Sequence, residues 1–155
     1  MMRLYVVCEG LTETNFVRDI LRPHIELRCP APVTVEAPNL RGNCVYVGVR
    51  KLIRTLLGSR TNDVRVTTMI DLYRLPKDFP GHADCDCIES PSERVQELER
   101  FFLVDVPDQR FIPYLQLHEF EALLLSDPNC TREVIRAKCK HFDSWLQKLE
   151  SRFES

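Results

Sequence analysis

The sequence lacks any long hydrophobic run. Its first apolar segment, Leu4 to Cys8, is too short for a signal peptide, and a membrane-spanning helix needs about 20 apolar residues. We therefore expect a cytoplasmic protein with no membrane association. Internal repeats, low-complexity tracts and a recognisable linker are also missing, so the 155 residues are expected to form one domain spanning 1–155.

The sequence also has little charge imbalance, few glycines and no regular cysteine pattern. A formal net charge of −2 gives no overall attraction to nucleic acid, so polyanion binding would need a local basic patch or metal ions. The seven cysteines are an odd number at irregular spacings, which favours free thiols in a reducing compartment. There is no P-loop, and the turn after the first strand has too few glycines for a dinucleotide-binding fingerprint.

What the chain does have is an alternation of strand-like and helix-like segments. Apolar runs rich in β-branched residues predict strands near residues 3–8, 33–37, 64–70 and 110–117. The last is interrupted by Pro113, which predicts either an edge position or a late start of the strand. Helical periodicity predicts helices near 12–25, 45–57, 92–104 and 131–153, with Thr12 and Ser92 as N-caps. This alternation predicts an α/β fold with a mostly parallel central sheet of about four strands.

Acidic residues follow the predicted strands where each one ends. Glu9 comes after the first strand, with Glu13 four residues later, and Asp71 ends the strand at 64–70. Ligands of parallel sheets bind beyond the carboxyl ends of the strands, and Mg²⁺ prefers carboxylate oxygens. The pattern therefore predicts a divalent-metal cleft. The alternative is that Glu13 interacts with its own helix dipole and that Glu9 is a solvated loop residue.

A second acidic group follows the last predicted strand. Glu119 and Glu121 would share one face if the chain is extended there, whereas His118 and Glu121 would be neighbours on a helix. For His118 three roles stay open: metal ligand, general base or helix cap.

Other candidates rest on weaker patterns. Helical spacing aligns Arg50 with Arg54, a stripe that could contact phosphates or form a solvated helix face. A zinc site from His82, Cys85 and Cys87, with Cys139 or His141, lacks the paired spacing of structural zinc sites. Cys8 lies in a predicted buried strand, which favours an inert core thiol over a nucleophile.

Several blocks of the sequence resemble known families. Glu9-Gly10-Leu11-Thr12-Glu13 resembles the opening motif of Toprim domains, especially those of overcoming-lysogenization-defect nucleases. A closer resemblance is to an uncharacterised bacterial family, the domain of unknown function numbered 4276. The blocks that carry it are Val7 to Glu13, Val66 to Gly81, Arg110 to Asp127 and Cys139 to Trp145.

The resemblance implies a Toprim-like three-layer sandwich, with helices on both faces of the sheet. It also implies an Mg²⁺- or Mn²⁺-dependent nuclease acting on DNA or RNA, often encoded beside an ATPase and suspected in defence against phage. The paired glutamates of the motif fall on Glu9 and Glu13 and the strand-end aspartate on Asp71, and the third acidic patch falls near Glu119 and Glu121. We expect Glu9, Asp71 and Glu119 to be catalytic, and all five acids to contribute metal ligands.

Two departures from the family pattern support an alternative. The usual motif has a second aspartate two residues after the first, where this chain has Tyr73. A tyrosine there could be a topoisomerase-like nucleophile, but no other topoisomerase feature is present. The segment between Ser126–Pro128 and the Cys139 block is also shorter than in members of the family. The alternative is an inactive Toprim-like subunit that binds an ATPase partner or forms a homo-oligomer; a zinc-stabilised adaptor is a third reading.

Overall fold

The structure is a computed structural model that describes residues 1–41, 45–58, 61–117, 136, 137 and 139–153. The strands are β1 (Met2–Cys8), β2 (Val33–Glu36), β3 (Val64–Asp71), β4 (Phe111–Ile112) and β5 (Leu115–Gln116). The helices are α1 (Leu11–Phe16), α2 (Arg22–Arg28), α3 (Tyr46–Leu57), α4 (Pro91–Asp105) and α5 (Lys140–Ser151). A π-helical turn (Val17–Leu21) joins α1 to α2, and a 3₁₀ turn (Leu72–Arg74) follows β3.

The strands form a parallel sheet in the order β2-β1-β3-β4, with β5 also paired to β3. The predicted parallel sheet is thus confirmed. The expected strand at 110–117 is two strands of two residues each, separated by Pro113. Proline has no backbone N–H for the ladder, which explains both the interruption and the position of β4 at the edge of the sheet.

Two apolar clusters cover the two faces of the sheet. On one face Leu4 and Met69 pack with Phe16, Ile25 and Trp145 from α1, α2 and α5. On the other face α3 and α4 pack against the sheet; the core residues of that side include Val49, Ile53, Leu98, Phe102 and Val66. The alternation of side chains along β1 and β3 sends neighbouring residues into opposite clusters. The expected three-layer arrangement, with helices on both faces, is confirmed.

Two helix starts differ from the prediction. Helix α1 begins at Leu11 with Gly10 as N-cap, so Thr12 lies in the first turn rather than at the cap. Helix α4 begins at Pro91, and Ser90 rather than Ser92 is its cap, since its Oγ accepts from the Glu93 N–H at 3.4 Å. Proline is favoured at the first helical position because its missing N–H is not needed there, and this places the cap one residue before Pro91.

The long segment 75–90, which contains Pro76 and Pro80, forms turns but no helix or strand. Phe79 nevertheless anchors it in the core, where its ring packs edge-on against Tyr46 and Phe102 at centroid distances of 5.2 and 5.0 Å. Gly81 has φ +76°, and a Cβ atom there would lie 2.2 Å from the Phe101 ring. Only glycine fits that turn without strain. Among the described residues, no helix is long and apolar enough to cross a membrane.

Candidate functional site

The carboxyl ends of β1 and β3 bring two acids together. Cys8 pairs with Met69 in the parallel register, so Glu9 and Asp71 emerge at the same edge of the sheet. The backbone N–H of Asp71 donates to Glu9 Oε2 at 3.2 Å, although the two residues are 62 apart in sequence. Both side chains are buried, each residue being 5% exposed. The structure therefore brings these two predicted site residues into one cleft.

Glu13 is buried beside the same edge, but its carboxylate is engaged within its own helix. Its Oε2 accepts from the Gly10 N–H at 3.0 Å, at the N-terminus of α1. This contact gives Glu13 the helix-capping role that the sequence left open. Within 1–41, 45–58, 61–117, 136, 137 and 139–153, no group of three His, Cys, Asp or Glu side chains is arranged to hold a metal ion.

Asp71 is oriented by the turn that follows it. Its Oδ1 accepts from the Tyr73 N–H at 2.9 Å, which fixes the carboxylate at the start of the 3₁₀ turn. The Tyr73 residue is 58% exposed, in place of the second acid of the related motif. Tyr73 contributes this bond through its backbone, so any residue except proline could orient Asp71 in the same way.

Arg74 is a site residue that the sequence reasoning missed. Its Nη1 lies 3.4 Å from Glu9 Oε1, and its side chain is 73% exposed. An ion pair this exposed adds little to stability, because solvent screens it and the side chain loses entropy. The guanidinium is therefore an exposed positive group beside Glu9. Its place three residues after the strand-end aspartate was the only signal in the sequence.

The surroundings of Glu9 disfavour its ionised form. Burial raises the pKa of Glu9, and the nearby negative charges of Glu13 and Asp71 raise it further. The Asp71 N–H and Arg74 oppose this shift of the pKa without cancelling it. A divalent cation at the cleft would reverse the penalty on the ionised carboxylate.

Gln116 is the second residue that sequence reasoning missed. It pairs with Asp71 in the parallel register of β3 and β5, so both side chains lie on the same face of the sheet. Gln116 is 2% exposed, and its Oε1 has no hydrogen-bond partner among the described residues. A buried amide oxygen without a partner is costly, and it is a suitable ligand for a hard cation or for its water.

Glu9, Asp71 and Gln116 fit the needs of Mg²⁺ or Mn²⁺. Mg²⁺ commonly takes one or two protein carboxylates and keeps several waters, so a full protein cage is not required. Glu13 fits less well, since its Oε2 already accepts from Gly10. His118, Glu119 and Glu121 lie outside the described residues, and their predicted roles stay predictions.

The predicted arginine stripe lies on α3, away from this edge, and contacts the end of α4. Arg50 Nε is 2.9 Å from Asp105 Oδ2, and Arg54 Nη2 donates to the Asp105 carbonyl at 3.3 Å. These contacts tie the two helices together. Phosphate binding by the same arginines stays a prediction.

The cysteine candidates separate into two kinds. Cys8 is fully buried in β1, and burial raises the pKa of its thiol to about 12, as expected for an inert core cysteine. In the segment proposed for zinc, His82 Nδ1 lies 3.7 Å from Asp86 Oδ1, and the Cys87 thiol is directed to the Asp84 carbonyl. No three potential ligands converge there within the described part of the chain.

Comparison with known proteins identifies the family. The profile of the family described as Domain of unknown function (DUF4276) matches residues 8–135. The match includes Glu9, Glu13, Asp71 and Gln116 and ends before the Cys139–Trp145 segment, so that part of the resemblance stays a prediction. No curated protein and no solved structure matches the chain significantly. The chain therefore belongs to the Domain of unknown function (DUF4276) family.

Proposed function

We propose that this protein is an Mg²⁺- or Mn²⁺-dependent phosphodiesterase of the Toprim type that cleaves nucleic acid. One observation carries the proposal: Glu9 and Asp71 converge from two neighbouring parallel strands as buried carboxylates, joined by the Asp71 N–H. Gln116 Oε1, which has no hydrogen-bond partner among the described residues and lies on the same face as Asp71, would add a third oxygen ligand. Buried acids without a matching cation are unfavourable unless they bind one.

In this proposal Glu9 and Asp71 hold the cation, Gln116 Oε1 contributes directly or through water, and Glu119 and Glu121 are the further acids that the resemblance suggests. When bound, a divalent cation activates a water and offsets the charge that develops on the phosphate. The chain itself orients both carboxylates, Asp71 through the Tyr73 N–H and Glu9 through the Asp71 N–H. The exposed Arg74 guanidinium lies where it could bind a phosphate oxygen.

The resemblance to Toprim nucleases also suggests a biological role for this protein. We propose a cytoplasmic role in defence against phage, together with an ATPase partner encoded nearby. That part of the proposal rests on likeness alone, whereas the metal-dependent chemistry also has the geometry of the cleft to support it.

The test is cleavage of labelled DNA and RNA with Mn²⁺ by wild type, Glu9→Gln and Asp71→Asn. Each substitution keeps the size of the side chain and removes one charge, so we expect the fold to persist and cleavage to fall by at least about a hundredfold. The double variant Glu26→Gln/Asp63→Asn is the control, because it neutralises two exposed acids remote from the cleft. Wild-type cleavage rates in Glu9→Gln or Asp71→Asn would refute the assignment.

A second candidate function is a non-catalytic subunit that binds an ATPase or another copy of itself. Two observations favour it: Tyr73 stands in place of the second acid, and no three potential ligands converge within the described residues. It predicts that folded wild type binds no Mn²⁺, with or without an oligonucleotide, and elutes as a stable complex with its partner. Metal binding that depends on Glu9 and Asp71 would exclude it.

A further inference from the structure

A groove runs along the open edge of the sheet, between α4 and α5 and over β4. Its volume is about 980 Å³. Phe111, Ile112 and Pro113 of the edge strand line it on one side. Its lining residues with ionisable side chains are Glu99 and Arg100 from α4, Lys140, His141 and Lys148 from α5, and Arg152 just after α5.

The groove is positively charged although the whole chain is slightly acidic. Four of its lining side chains are Lys or Arg, and Glu99 is the single carboxylate among the lining residues that the structure describes. Lys140, Lys148 and Arg152 are exposed, and none forms an ion pair with a described carboxylate, whereas Arg100 lies 2.8 Å from Glu97. Since the net charge of the chain is −2, this excess is a local feature and not a bulk property.

The single carboxylate is already engaged. Glu99 Oε1 accepts from the Leu115 N–H at 2.8 Å and lies 2.9 Å from His141 Nε2. The His141 ring stacks on Tyr114 at a centroid distance of 5.2 Å, and Tyr114 stacks on Trp145 at 4.2 Å. Glu99 thus links α4 to Leu115 and His141 in the wall of the groove, and the exposed lysine and arginine side chains can contact a ligand.

Arg152 of the groove lining also interacts with a further arginine. Burial lowers the pKa of Arg65, and the charges of Arg152 and Arg110 lower it further, while those of Asp63 and Asp108 oppose the shift. Arg110 pairs with Asp108 at 2.8 Å, but Arg152 has no such partner in the described part of the chain. Arg65 and Arg110 do not line the groove, so Arg152 is the member of this group that adds to its positive charge.

The wall of the groove is tied to the strand that carries Asp71. Glu99 of the groove wall accepts a hydrogen bond from the Leu115 N–H, and Leu115 pairs with Ile70, the residue before Asp71. Neighbouring strands lie about 4.8 Å apart, so Leu115 lies about one strand spacing from β3. A nucleic-acid strand bound in the groove would thus lie on the side of the sheet that leads to Asp71.

We infer that this groove binds the phosphodiester backbone of a nucleic acid and directs it to the carboxylate cleft. The inference rests on the proposed function for the fate of the strand, but binding itself needs neither metal nor cleavage. Lysine and arginine side chains that contact phosphates bind without sequence preference and displace counterions, so the binding must weaken steeply with salt.

The test is the fluorescence anisotropy of a labelled single-stranded oligonucleotide and its duplex, in EDTA and over a salt series. The double variant Lys140→Gln/Lys148→Gln removes two groove charges, and Arg28→Gln/Lys51→Gln removes two exposed charges elsewhere. We expect the groove variant to lower the slope of log affinity against log salt by about 2 and the affinity at 0.1 M salt by about 30-fold. The control variant should bind like wild type.

Further variants separate the effects of charge, folding and cleavage. Lys140→Arg/Lys148→Arg keeps both charges and should keep the binding, which separates charge from a folding defect. Wild-type affinity and salt slope in the groove variant would overturn the inference, as would a wild type that binds a polyglutamate peptide but no oligonucleotide.

Glu9→Gln/Asp71→Asn should bind the oligonucleotide at least as tightly as wild type. Binding that depends on the groove, without cleavage in Mn²⁺, would refute the nuclease proposal and still support nucleic-acid binding by the groove.

Discussion

Two acidic clusters differ in how their charge is balanced by the described residues. Glu150 lies in α5, where its Oε1 is 2.6 Å from His24 Nε2 and 3.1 Å from Arg136 Nη1; Arg136 also pairs with Asp143. Glu9 pairs with Arg74, whose side chain is exposed. The Glu150 cluster offsets the cost of desolvation through its contacts with His24 and Arg136, whereas the pKa of Glu9 stays raised. The difference indicates a structural role for the Glu150 cluster, and it agrees with the proposal that the Glu9–Asp71 cleft takes a cation.

The largest effect on stability is expected from breaking the structural cluster. Glu150→Leu takes a carboxylate from buried His24 and from Arg136, so we expect the free energy of unfolding to fall by about 2 kcal/mol. Urea denaturation measures this change. The oligonucleotide affinity and any Mn²⁺-dependent cleavage of the remaining folded protein should stay at the wild-type level, and a specific loss of cleavage would break the distinction between the clusters.

Neutralising the carboxylate of Glu9 in the cleft should raise the stability of the protein instead of lowering it. Because the pKa of Glu9 is raised on folding, the ionised carboxylate destabilises the native state at neutral pH. Glu9→Gln should therefore raise the Tm of the metal-free protein by a few degrees at pH 7. As the pH falls through the raised pKa of Glu9 in the folded protein, Glu9 binds a proton there before it does so in the unfolded chain. The destabilisation by the ionised carboxylate therefore disappears. The difference in Tm from wild type should vanish below the unfolded pKa of about 4.3.

Thermal unfolding of wild type and Glu9→Gln at several pH values checks the sign of the difference in Tm. Excess Mn²⁺ should reverse the order at pH 7, because it stabilises only the wild type. A Glu9→Gln variant that is less stable than wild type in EDTA at pH 7 would show that the acid is compensated within the fold.

The smallest effect is expected at Gln116. Gln116→Leu replaces a buried amide oxygen that has no partner in the described residues with an apolar side chain of similar size. We expect the metal-free protein to gain about 0.5–1 kcal/mol and the apparent Mn²⁺ affinity to fall severalfold. Gln116→Glu should instead strengthen Mn²⁺ binding. Unchanged affinity in both variants would remove Gln116 from the site.

Much of the fold followed from local pattern. The β-branched run at 64–70 predicted β3, and the alternation of strands and helices predicted the parallel sheet. The helix starts were wrong by one or two residues, because Pro91 and the Glu13–Gly10 contact decide where the helices begin. Such errors arise from single side-chain contacts, which periodicity does not register.

The site was predictable only in part. Strand ends placed Glu9 and Asp71 at one edge, as the rule for parallel sheets requires. Gln116 and Arg74 could not be found in that way, since their roles depend on the β3–β5 register and on a turn. The basic groove was also hidden, because its charges come from α4 and α5, which are separated in sequence by the 34 residues 106–139. Long-range packing alone brings them together.

The most direct test of the central claim is a calorimetric titration of Mn²⁺ into the protein with an uncleavable phosphorothioate oligonucleotide present. We predict binding to wild type and to Glu26→Gln/Asp63→Asn, and no binding to Glu9→Gln/Asp71→Asn. Equal binding by all three proteins would place the metal elsewhere, and no binding by folded wild type would contradict a cation site at this cleft.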